Sequence, residues 1–368
     1  MNIGLDARFY GPTGKGIGRY TQKLIGSLEK LDNNNEYFVF LNQEGFDCYQ
    51  PINPRFHKIL VNIPWYSVKE QLALPKILKQ YHLDLMHFLH FNVPLFYQGR
   101  LVVTVHDLIH LKFNLHSSTH SFFRYLIKYW LYRLVSGSAI KRAGRIITVS
   151  EFVKKQIIDY YKISPQKISV TYEATFMPNN QVSKNKNSQP IISRPYLLYI
   201  GNAYPHKNLE KLVAAFKIVA ATENINLVLI GKKDYFYQAL EKMVKNLGLE
   251  NKVMFLGQVT DDDLPGLYQN ALAYVFPSLM EGFGLPGLEA MSYGCPVLSS
   301  NAGSLPEIYG SAALYFNPED TVEIAQAIKT IIHDPTQREK LKKLGQEQIK
   351  KYSWDKCAQE TLDVYVGY

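Results

Sequence analysis

The sequence predicts an α/β protein of two domains, each built on a doubly wound parallel sheet. At 368 residues the chain is too long for one ordinary hydrophobic core. Short apolar runs, typical of buried strands, alternate with longer helical patterns in two successive series. Between the series, residues 179–195 are polar and lack periodicity, which predicts a linker or an exposed loop. We therefore expect one domain over residues 1–178 and a second over residues 196–352.

Apolar runs that end at turn residues define the strands of both domains. The first domain is predicted to have a helix at residues 17–31 and strands at 2–5, 37–41, 58–61, 85–88, 101–105, 145–149 and 168–171. The second is predicted to have helices at 209–221 and 236–247 and strands at 196–200, 226–230, 252–255, 273–276 and 296–299. Ligands of such sheets bind at the carboxyl ends of the strands, so residues that follow a strand are the candidates for a site.

The chain after Thr321 is predicted to be helical to its end. Ser353 is a candidate N-cap for a last helix over residues 353–368, because its side chain can accept a hydrogen bond from the first turn. From the residues alone, this helix could pack on either domain.

Composition indicates an ordinary globular protein, with 46% apolar and 20% charged residues. The three cysteines, Cys48, Cys295 and Cys357, lack the spacing of a metal site, which suits a reducing compartment. The first ten residues begin a strand rather than a signal peptide. No uncharged apolar run reaches the length of a bilayer span. We expect a cytoplasmic protein that does not cross a membrane.

The formal net charge of +9 suits an anionic partner, such as a diphosphate substrate or a phospholipid surface, and suits simple solubility equally well. No nucleic-acid-binding motif is present, so we expect no nucleic-acid partner. Residues 118–145 form an aromatic and basic helical stretch. Such a helix either packs on the sheet with its basic residues outward, which we favour slightly, or docks peripherally on the inner face of a membrane.

The segment from Glu281 to Glu289 has the most informative pattern in the chain. A strand is predicted to end before it, and a helix is predicted from Leu285, with Pro286 in the first turn, where no N–H is needed. The glycine-rich turn between the two glutamates directs backbone N–H groups and a positive helix end towards an anion. Two flanking carboxylates suit the hydroxyls of a sugar–phosphate–ribose ligand. The residues alone also allow an acidic loop before a capped surface helix.

The glycines between Gly11 and Gly18 follow the first predicted strand and precede a helix. They do not form a Walker loop, because Lys15 is followed by Gly16, and Arg19 occupies the last glycine position of a dinucleotide-binding motif. His106 follows another predicted strand, although a lone histidine is more often structural.

Residues 261–263 are three aspartates that superficially resemble a metal-binding motif. Thr260 before them and Leu264 after them favour a helix cap with acidic residues in the positive first turn. We therefore expect no catalytic metal.

The motifs around the two glutamates resemble those of a known family. Glu281-Gly-Phe-Gly-Leu-Pro is followed by Glu289-Ala-Met, Gly294-Cys-Pro-Val and Gly303-Ser-Leu-Pro-Glu. This pattern is similar to the signature of retaining nucleotide-sugar glycosyltransferases of family 4, group 1 type. That family has the GT-B fold, two Rossmann-like domains facing a deep cleft, and its last helix crosses back onto the first domain. The resemblance covers nearly the whole chain, with Gly287 standing where a larger apolar residue is more usual.

The resemblance implies roles for the residues of this segment. Glu281 is expected to lie against the donor hexose as a catalytic residue, and Glu289 to bind the ribose hydroxyls. The turn between them is expected to contact the donor through Phe283, Gly284 and Leu285.

Other implied site residues lie outside this segment. His106 is expected to meet the donor sugar near the reacting carbon, and Lys207 to stabilise the leaving diphosphate, both as catalytic residues. Gly14 and Gly16 are expected beneath the diphosphate. Asn202 stands where many relatives have an arginine, so half of the usual pair of cations is missing or supplied elsewhere.

The implied activity is hexosyl transfer from a nucleotide-diphosphate sugar, of UDP-glucose or GDP-mannose type, to a glycan or lipid-linked acceptor in polysaccharide biosynthesis. UDP-glucose is slightly favoured over GDP-mannose, on weak grounds. The donor is a substrate, and no cofactor is expected. Two alternatives stay open. A GT-B nucleotide-sugar 2-epimerase would share the fold and the donor but need no acceptor, and a nucleotide-sugar-binding protein could have lost catalysis with the change to Asn202.

Overall fold

The structure is a computed structural model that describes residues 1–11, 15–113, 122–175, 192 and 195–368, with the main chain alone at 15 and 122–128. The chain forms two compact units. Unit 1 comprises Met1–Leu108, His120–Glu173 and Ser353–Tyr368, and unit 2 comprises Ile109–Thr119 and Ala174–Tyr352. The predicted linker at 179–195 lies outside the described residues, apart from residues 192 and 195.

Unit 1 contains a sheet of seven parallel strands. Its strands are β1 (Asn2–Asp6), β2 (Glu36–Leu41), β3 (Phe56–Leu60), β4 (Leu85–Phe88), β5 (Leu101–Val105), β6 (Arg145–Thr148) and β7 (Ile168–Val170). Their order is β3-β2-β1-β4-β5-β6-β7, so the direction of winding reverses between β1 and β4. The seven strands predicted from the sequence are confirmed, with ends shifted by one or two residues at most.

Among the described residues, six α-helices lie between residue 15 and the end of β7. They are α1 (Lys15–Leu31), α2 (Gln43–Cys48), α3 (Val68–Lys79), α4 (Ile109–Lys112), α5 (Phe122–Arg142) and α6 (Glu151–Tyr161), of which α4 belongs to unit 2. The predicted helix at 17–31 is confirmed and begins two residues earlier, at Lys15. Ser150 caps α6, because its side chain accepts a hydrogen bond from the N–H of Val153.

Unit 2 contains a sheet of six parallel strands. They are β8 (Tyr196–Ile200), β9 (Asn226–Ile230), β10 (Val253–Gly257), β11 (Ala273–Phe276), β12 (Val297–Ser300) and β13 (Ala313–Phe316). The order β10-β9-β8-β11-β12-β13 reverses its winding between β8 and β11. The sequence did not predict β13, since four residues at the sheet edge with two half-buried members give too short an apolar run.

Among the described residues, seven α-helices of unit 2 follow β8. They are α7 (Leu209–Ala220), α8 (Tyr235–Asn246), α9 (Leu264–Asn270), α10 (Leu285–Ser292), α11 (Leu305–Tyr309), α12 (Thr321–His333) and α13 (Pro335–Ile349). The helices predicted at 209–221 and 236–247 are confirmed to within one residue at each end.

The predicted helix start at Thr260 is wrong. Helix α9 begins at Leu264 with Asp263 as its N-cap, so the aspartates at 261–263 precede the helix instead of filling its first turn. The hydroxyl of Thr260 donates a hydrogen bond of 2.6 Å to Asp263 Oδ2. This local hydrogen bond stabilises a turn in competition with the helix.

The last helix, α14 (Trp354–Val366), packs against α1 within unit 1. Ser353 caps it as predicted, by accepting a hydrogen bond from the N–H of Lys356. Ser27 of α1 donates a hydrogen bond of 2.8 Å to Asp355 Oδ1. The apolar face of α14 joins the hydrophobic core of the sheet through Cys357, Ala358, Leu362, Val364 and Tyr365. Burial of this face explains why the C-terminal segment belongs to the first unit.

Helix α5 carries both a buried and an exposed aromatic surface. The ring of Tyr132 packs against those of Tyr66 and Phe91 within unit 1. On the exposed surface, Trp130, Leu131 and Leu134 are more than half exposed. Residues 118–121 of the predicted basic stretch lie outside the described residues. Over the described part of the chain, no helix combines the length and the apolar composition needed to cross a bilayer.

Candidate functional site

The loop between β11 and α10 holds the first predicted glutamate. The strand ends at Phe276 and the helix begins at Leu285, as the sequence predicted, with Pro286 in its first turn. Glu281 lies in this loop with 8% of its surface exposed. Since β11 borders the point where the winding of the sheet reverses, the loop lies where doubly wound sheets bind their ligands.

The turn before α10 requires glycine for two reasons. Gly284 has a positive φ of 107°, and a Cβ there would lie 2.6 Å from the Tyr309 hydroxyl oxygen. That hydroxyl donates a hydrogen bond of 2.5 Å to the carbonyl oxygen of Gly284. A Cβ at Gly287 would lie 2.3 Å from the same hydroxyl oxygen. The departure from the family pattern at Gly287 therefore makes room for Tyr309.

Residues of the next segment hold the main chain around Glu281. The hydroxyl of Ser304 lies 3.1 Å from the carbonyl oxygens of both Glu281 and Phe283, to which it can donate. A Cβ at Gly303 would lie 2.9 Å from the backbone nitrogen of Glu281. The Gly303-Ser304 pair thus allows close approach and fixes the loop, which gives this part of the motif a physical reason.

Lys207 and Glu281 form a buried ion pair. The ammonium nitrogen lies 2.6 Å from Oε1 of Glu281, and the two side chains are 14% and 10% exposed. The same nitrogen lies 5.3 Å from the centre of the Phe276 ring. Two residues that are 74 positions apart in the sequence, and that were both predicted as catalytic, are therefore brought together.

Two hydrogen bonds position Lys207, which ends a 3₁₀ turn over Pro205–Lys207. The N–H of Leu279 donates a hydrogen bond of 2.8 Å to the carbonyl oxygen of His206. The side-chain amide of Asn208 donates to the carbonyl oxygen of Pro277 over 3.1 Å. These bonds tie the segment after β8 to the loop after β11, on either side of the reversal in the sheet.

His206, next to Lys207, is held neutral. Burial, followed by the charge of Lys207, lowers the pKa of His206 to about 4, although Glu281 acts in the opposite direction. The positive charge of this edge is therefore carried by Lys207 alone within the Pro205–Lys207 turn.

Asn202 uses its side chain within its own turn. Its Oδ1 accepts a hydrogen bond of 3.3 Å from the N–H of Tyr204, and its carbonyl oxygen accepts one of 2.7 Å from the Tyr199 hydroxyl. Asn202 thus helps to shape the loop after β8 and provides no positive charge.

Three more predicted donor contacts lie along the start of α10. Glu289 and Leu285 are half-buried, whereas Phe283 is 5% exposed. The Phe283 ring makes an edge-on contact with that of Tyr352, at 5.6 Å between centres. Phe283 therefore has its ring in the interior of unit 2, which leaves the main chain as the part able to meet a donor.

His106 lies at the corresponding edge of unit 1, directly after β5. Its Nδ1 is 3.0 Å from Oε1 of Glu173, and its Nε2 is 3.0 Å from the carbonyl oxygen of Leu89. The ring meets that of Tyr20 edge-on, with centres 4.6 Å apart. Sequence reasoning missed Glu173, because a glutamate 67 residues away carries no local signal of its partner.

Opposite pKa shifts distinguish His106 from a second buried histidine, His87. Burial disfavours the charged form of His106, but the hydrogen bond and charge of Glu173 outweigh it and raise the pKa of His106. Burial, and then the charge of His106, lower the pKa of His87 to about 3. His87 is hydrogen-bonded to the hydroxyls of Tyr365 and Thr104, at 2.6 and 2.8 Å. The shifts therefore favour the charged form in His106 and disfavour it in His87.

A buried arginine organises the loops after β1 and β3. Arg8 is fully buried and forms ion pairs with Asp6 at 2.7 Å and Glu70 at 2.6 Å. Burial raises the pKa of the Glu70 carboxyl, against the opposing effects of Arg8 and Asn92. Glu70 also accepts a hydrogen bond of 2.8 Å from the N–H of Tyr66, which has a positive φ of 56°. No motif pointed to this network, since Glu70 lies in a separate segment from Asp6 and Arg8.

The predicted diphosphate contacts near the start of α1 are only partly described. Gly14 lies outside the described residues. Gly16 lies in the first turn of α1, where a Cβ would meet no atom within 4 Å. A Cβ at Gly18 would lie 2.2 Å from the carbonyl oxygen of Gly11, so this glycine lets the helix approach the loop.

Comparisons with known proteins agree with the geometry of both units. A model described as Glycosyltransferase Family 4 matches residues 14–174, and one described as Glycosyl transferases group 1 matches residues 181–348. The chain is 31% identical over 331 residues to an O-antigen chain mannosyltransferase, RfbU, from Salmonella typhimurium. That alignment covers 87% of this chain and 88% of the relative.

Two solved structures share the fold. Sucrose-phosphate synthase from Thermosynechococcus elongatus has a TM-score of 0.77 at 22% identity, over 100% of this chain and 98% of the other. HepE from Anabaena, in complex with UDP-glucose, has a TM-score of 0.73 at 19% identity, over 100% of both chains. At these identities the likeness concerns the architecture alone.

Proposed function

The chain belongs to the group 1 glycosyltransferases of family 4, with their GT-B architecture, and from this premise we propose the reaction that it catalyses. It transfers a hexose, with mannose as the first candidate, from a nucleotide-diphosphate sugar to a glycan or lipid-linked acceptor. The product belongs to polysaccharide biosynthesis. The similarity to an O-antigen mannosyltransferase supports both the sugar and the process.

The ion pair between Lys207 and Glu281 is the observation that carries this proposal. It lies where the winding of the unit 2 sheet reverses, beside the glycine turn that begins α10. A helix N-terminus and an ammonium group favour a diphosphate, whereas carboxylates favour sugar and ribose hydroxyls. We assign the diphosphate to Lys207 and the α10 turn, the hexose to Glu281 and the ribose to Glu289.

The reaction that we propose retains the anomeric configuration. The bond between the anomeric carbon and the diphosphate oxygen breaks, while an acceptor hydroxyl oxygen bonds to that carbon from the same face. The leaving oxygen takes the proton of the acceptor hydroxyl, so that no side chain has to act as a base. Lys207 stabilises the charge that develops on the diphosphate, which lowers the barrier electrostatically.

The same arrangement makes a metal ion unnecessary in our proposal. Lys207 and the positive end of α10 supply the charge that a divalent cation provides in other transferases. The aspartates at 261–263 lie in the turn before α9, where Asp263 accepts the hydroxyl hydrogen bond of Thr260. We assign them a structural role.

We place the acceptor on unit 1, which holds His106 at its sheet edge. A lipid-linked acceptor requires contact with a membrane surface, for which α5 offers the exposed Trp130, Leu131 and Leu134 beside Arg133. The enzyme would then act in the cytoplasm, docked peripherally on the inner face of the membrane.

The test is turnover of GDP-mannose and UDP-glucose, with and without alkyl mannosides as acceptors. We expect GDP release that depends on the acceptor and a mannoside product of retained configuration. Consumption of donor without acceptor, with an epimerised sugar as product, would instead identify a 2-epimerase. Binding of a nucleoside diphosphate without any turnover would identify a binding protein that has lost catalysis.

A further inference from the structure

Both ring nitrogens of His106 are directed at oxygen atoms that can only accept. The carbonyl oxygen of Leu89 lies 3.0 Å from Nε2, and a carboxylate oxygen of Glu173 lies 3.0 Å from Nδ1. A neutral imidazole has one N–H and one bare nitrogen, which would face one of these oxygens without a hydrogen. Two hydrogen bonds of this geometry are satisfied together only when both nitrogens carry protons.

Among the groups around the His106 ring, Glu173 contributes most to stabilising its cationic form. The two side chains are 12% and 7% exposed, so water screens their interaction little. Asp107, the next residue, adds a smaller negative contribution. Of the groups around the ring, His87 stays uncharged at neutral pH, the ring of Tyr20 makes an edge-on contact, and the ring of His90 lies 6.5 Å away.

We propose that Glu173 is the positioning residue of the unit 1 edge: it fixes the ring of His106 in one orientation with both nitrogens protonated. His106 is then a fixed imidazolium whose two N–H groups are committed to Glu173 and Leu89. It has no lone pair with which to accept a proton. A histidine in this state cannot serve as the general base that its place after β5 would otherwise suggest.

The consequence for the reaction rests on the proposed function. If no base exists at His106, the proton of the acceptor hydroxyl leaves with the diphosphate, as same-face transfer requires. The protonation state itself does not rest on that function, and it can be measured in the absence of any substrate.

The experiment is a titration of the full chain with ¹⁵N-labelled histidine, followed by long-range ¹H–¹⁵N NMR, which reports the protonation of each ring nitrogen. The His106 signals are assigned by their loss in His106→Gln. In the wild type we expect a midpoint above the ordinary value of about 6.5. In Glu173→Gln the midpoint should fall below about 6.5, because burial remains while the charge is lost, and the neutral ring should keep its proton on Nε2, facing Leu89.

Two further variants sharpen the result. Glu173→Asp retains the charge and should keep the midpoint above that of Glu173→Gln. Glu151→Gln, at an exposed glutamate of α6 in the same unit, should leave the midpoint unchanged. A wild-type midpoint at or below about 6.5 would overturn the proposal, even if no Glu173 variant folds. So would a midpoint in folded Glu173→Gln equal to that of the wild type.

An activity measurement separates this inference from the proposed function. Where transfer is observed, kcat of the wild type should not rise as pH passes through the midpoint of His106, because the ring is not the base; a rise that follows this midpoint and moves to lower pH in Glu173→Gln would assign a general base there. A histidine that titrates as expected in a protein without transferase activity would contradict the proposed function alone. Transfer by a protein whose His106 is neutral would contradict this inference alone.

Discussion

The two sheet edges each hold a buried pair of a cation and a carboxylate. The pairs differ in how many N–H hydrogens of the cation remain after its hydrogen bonds to the protein. In unit 1, His106 directs its two nitrogens at Glu173 and Leu89. In unit 2, the ammonium of Lys207 carries three hydrogens, and one hydrogen bond, to Glu281, is recorded for it among the described residues. The first cation is committed to the protein, whereas the second retains donors for a ligand.

The loops around the pairs differ in the same way. In unit 1, Arg8, Asp6 and Glu70 form a second network of buried charge that holds the loops after β1 and β3. In unit 2, a main-chain bond from Leu279 and a side-chain bond from Asn208 bring the two loops together and leave the charged groups at their ends. Networks of buried charge specify a conformation, while ammonium donors left for a ligand at a sheet edge provide binding.

The largest expected effect tests the buried charge network of unit 1. Arg8→Met removes a fully buried guanidinium and leaves Asp6 and Glu70 without their cation, which should cost about 3–5 kcal/mol of folding free energy. Arg55→Met, at an exposed pair with Glu36, should cost less than about 1 kcal/mol. Guanidinium denaturation measures both. Equal losses would show that the Arg8 network contributes no more than a surface pair.

The next effect tests whether unit 2 is open to a ligand. Glu289→Ala should weaken binding of both the free nucleoside diphosphate and the sugar nucleotide by about 1.5–3 kcal/mol, because the ribose is common to both. Glu347→Ala, at a glutamate of α13 that is 69% exposed, is the control. Calorimetry with GDP and UDP gives the affinities. Unchanged affinity in Glu289→Ala would remove this residue from the ribose site.

A smaller effect distinguishes His87 from His106 in unit 1. His87 has a folded pKa of about 3, below the unfolded value of about 6.5, so an unfolded chain gains a proton first as pH falls. The contribution of neutral His87 to the folding free energy is complete above about pH 6.5 and declines towards pH 3. At pH 5 about 2 kcal/mol of it has been lost. His106, whose pKa is raised, contributes stability below about 6.5 and loses it as pH rises through its folded value.

Denaturation at pH 7.5 and pH 5 checks the direction in which His87 makes stability change with pH. The wild type should lose about 2 kcal/mol more stability between these values than His87→Gln, which has no group to titrate. An identical pH dependence in the two proteins would mean that His87 is not held neutral by burial.

The smallest expected effect concerns the aspartates before α9. Asp261→Asn should leave transfer nearly unchanged, and transfer should survive EDTA, because the positive charge in our proposal comes from Lys207. Initial rates with and without the chelator measure this. Loss of activity in EDTA, with recovery on adding manganese or magnesium, would assign a catalytic metal and contradict the proposed site.

The contrast between the units also explains how far sequence reasoning reached. Among the described residues, apolar runs predicted twelve of the thirteen strands and missed β13, and the turn chemistry around Pro286 placed α10 correctly. Lys207 and Glu281 were each predicted from local motifs that follow a strand, and the fold brings them together. Their distance could not be predicted, since it depends on the contacts of Leu279 and Asn208.

The polar networks of unit 1 were not predictable in the same way. Arg8, Glu70 and Glu173 belong to no motif, and each finds its partner only when separate loops meet at the sheet edge. A buried charge needs partners around it, and a single sequence does not report which residues those partners are. The assignment of Thr260 as a helix cap failed because a local hydrogen bond to Asp263 delayed the helix start.

The most direct test of the central claim, that Lys207 stabilises the leaving diphosphate, is the kcat of Lys207→Ala. Charge develops on the diphosphate as the bond to the sugar breaks, so this variant should lower kcat on the order of 10²-fold or more and change KM less. Lys211→Ala, at an exposed lysine four residues further on, should leave kcat unchanged. A Lys207→Ala enzyme that turns over at the wild-type rate would contradict the account.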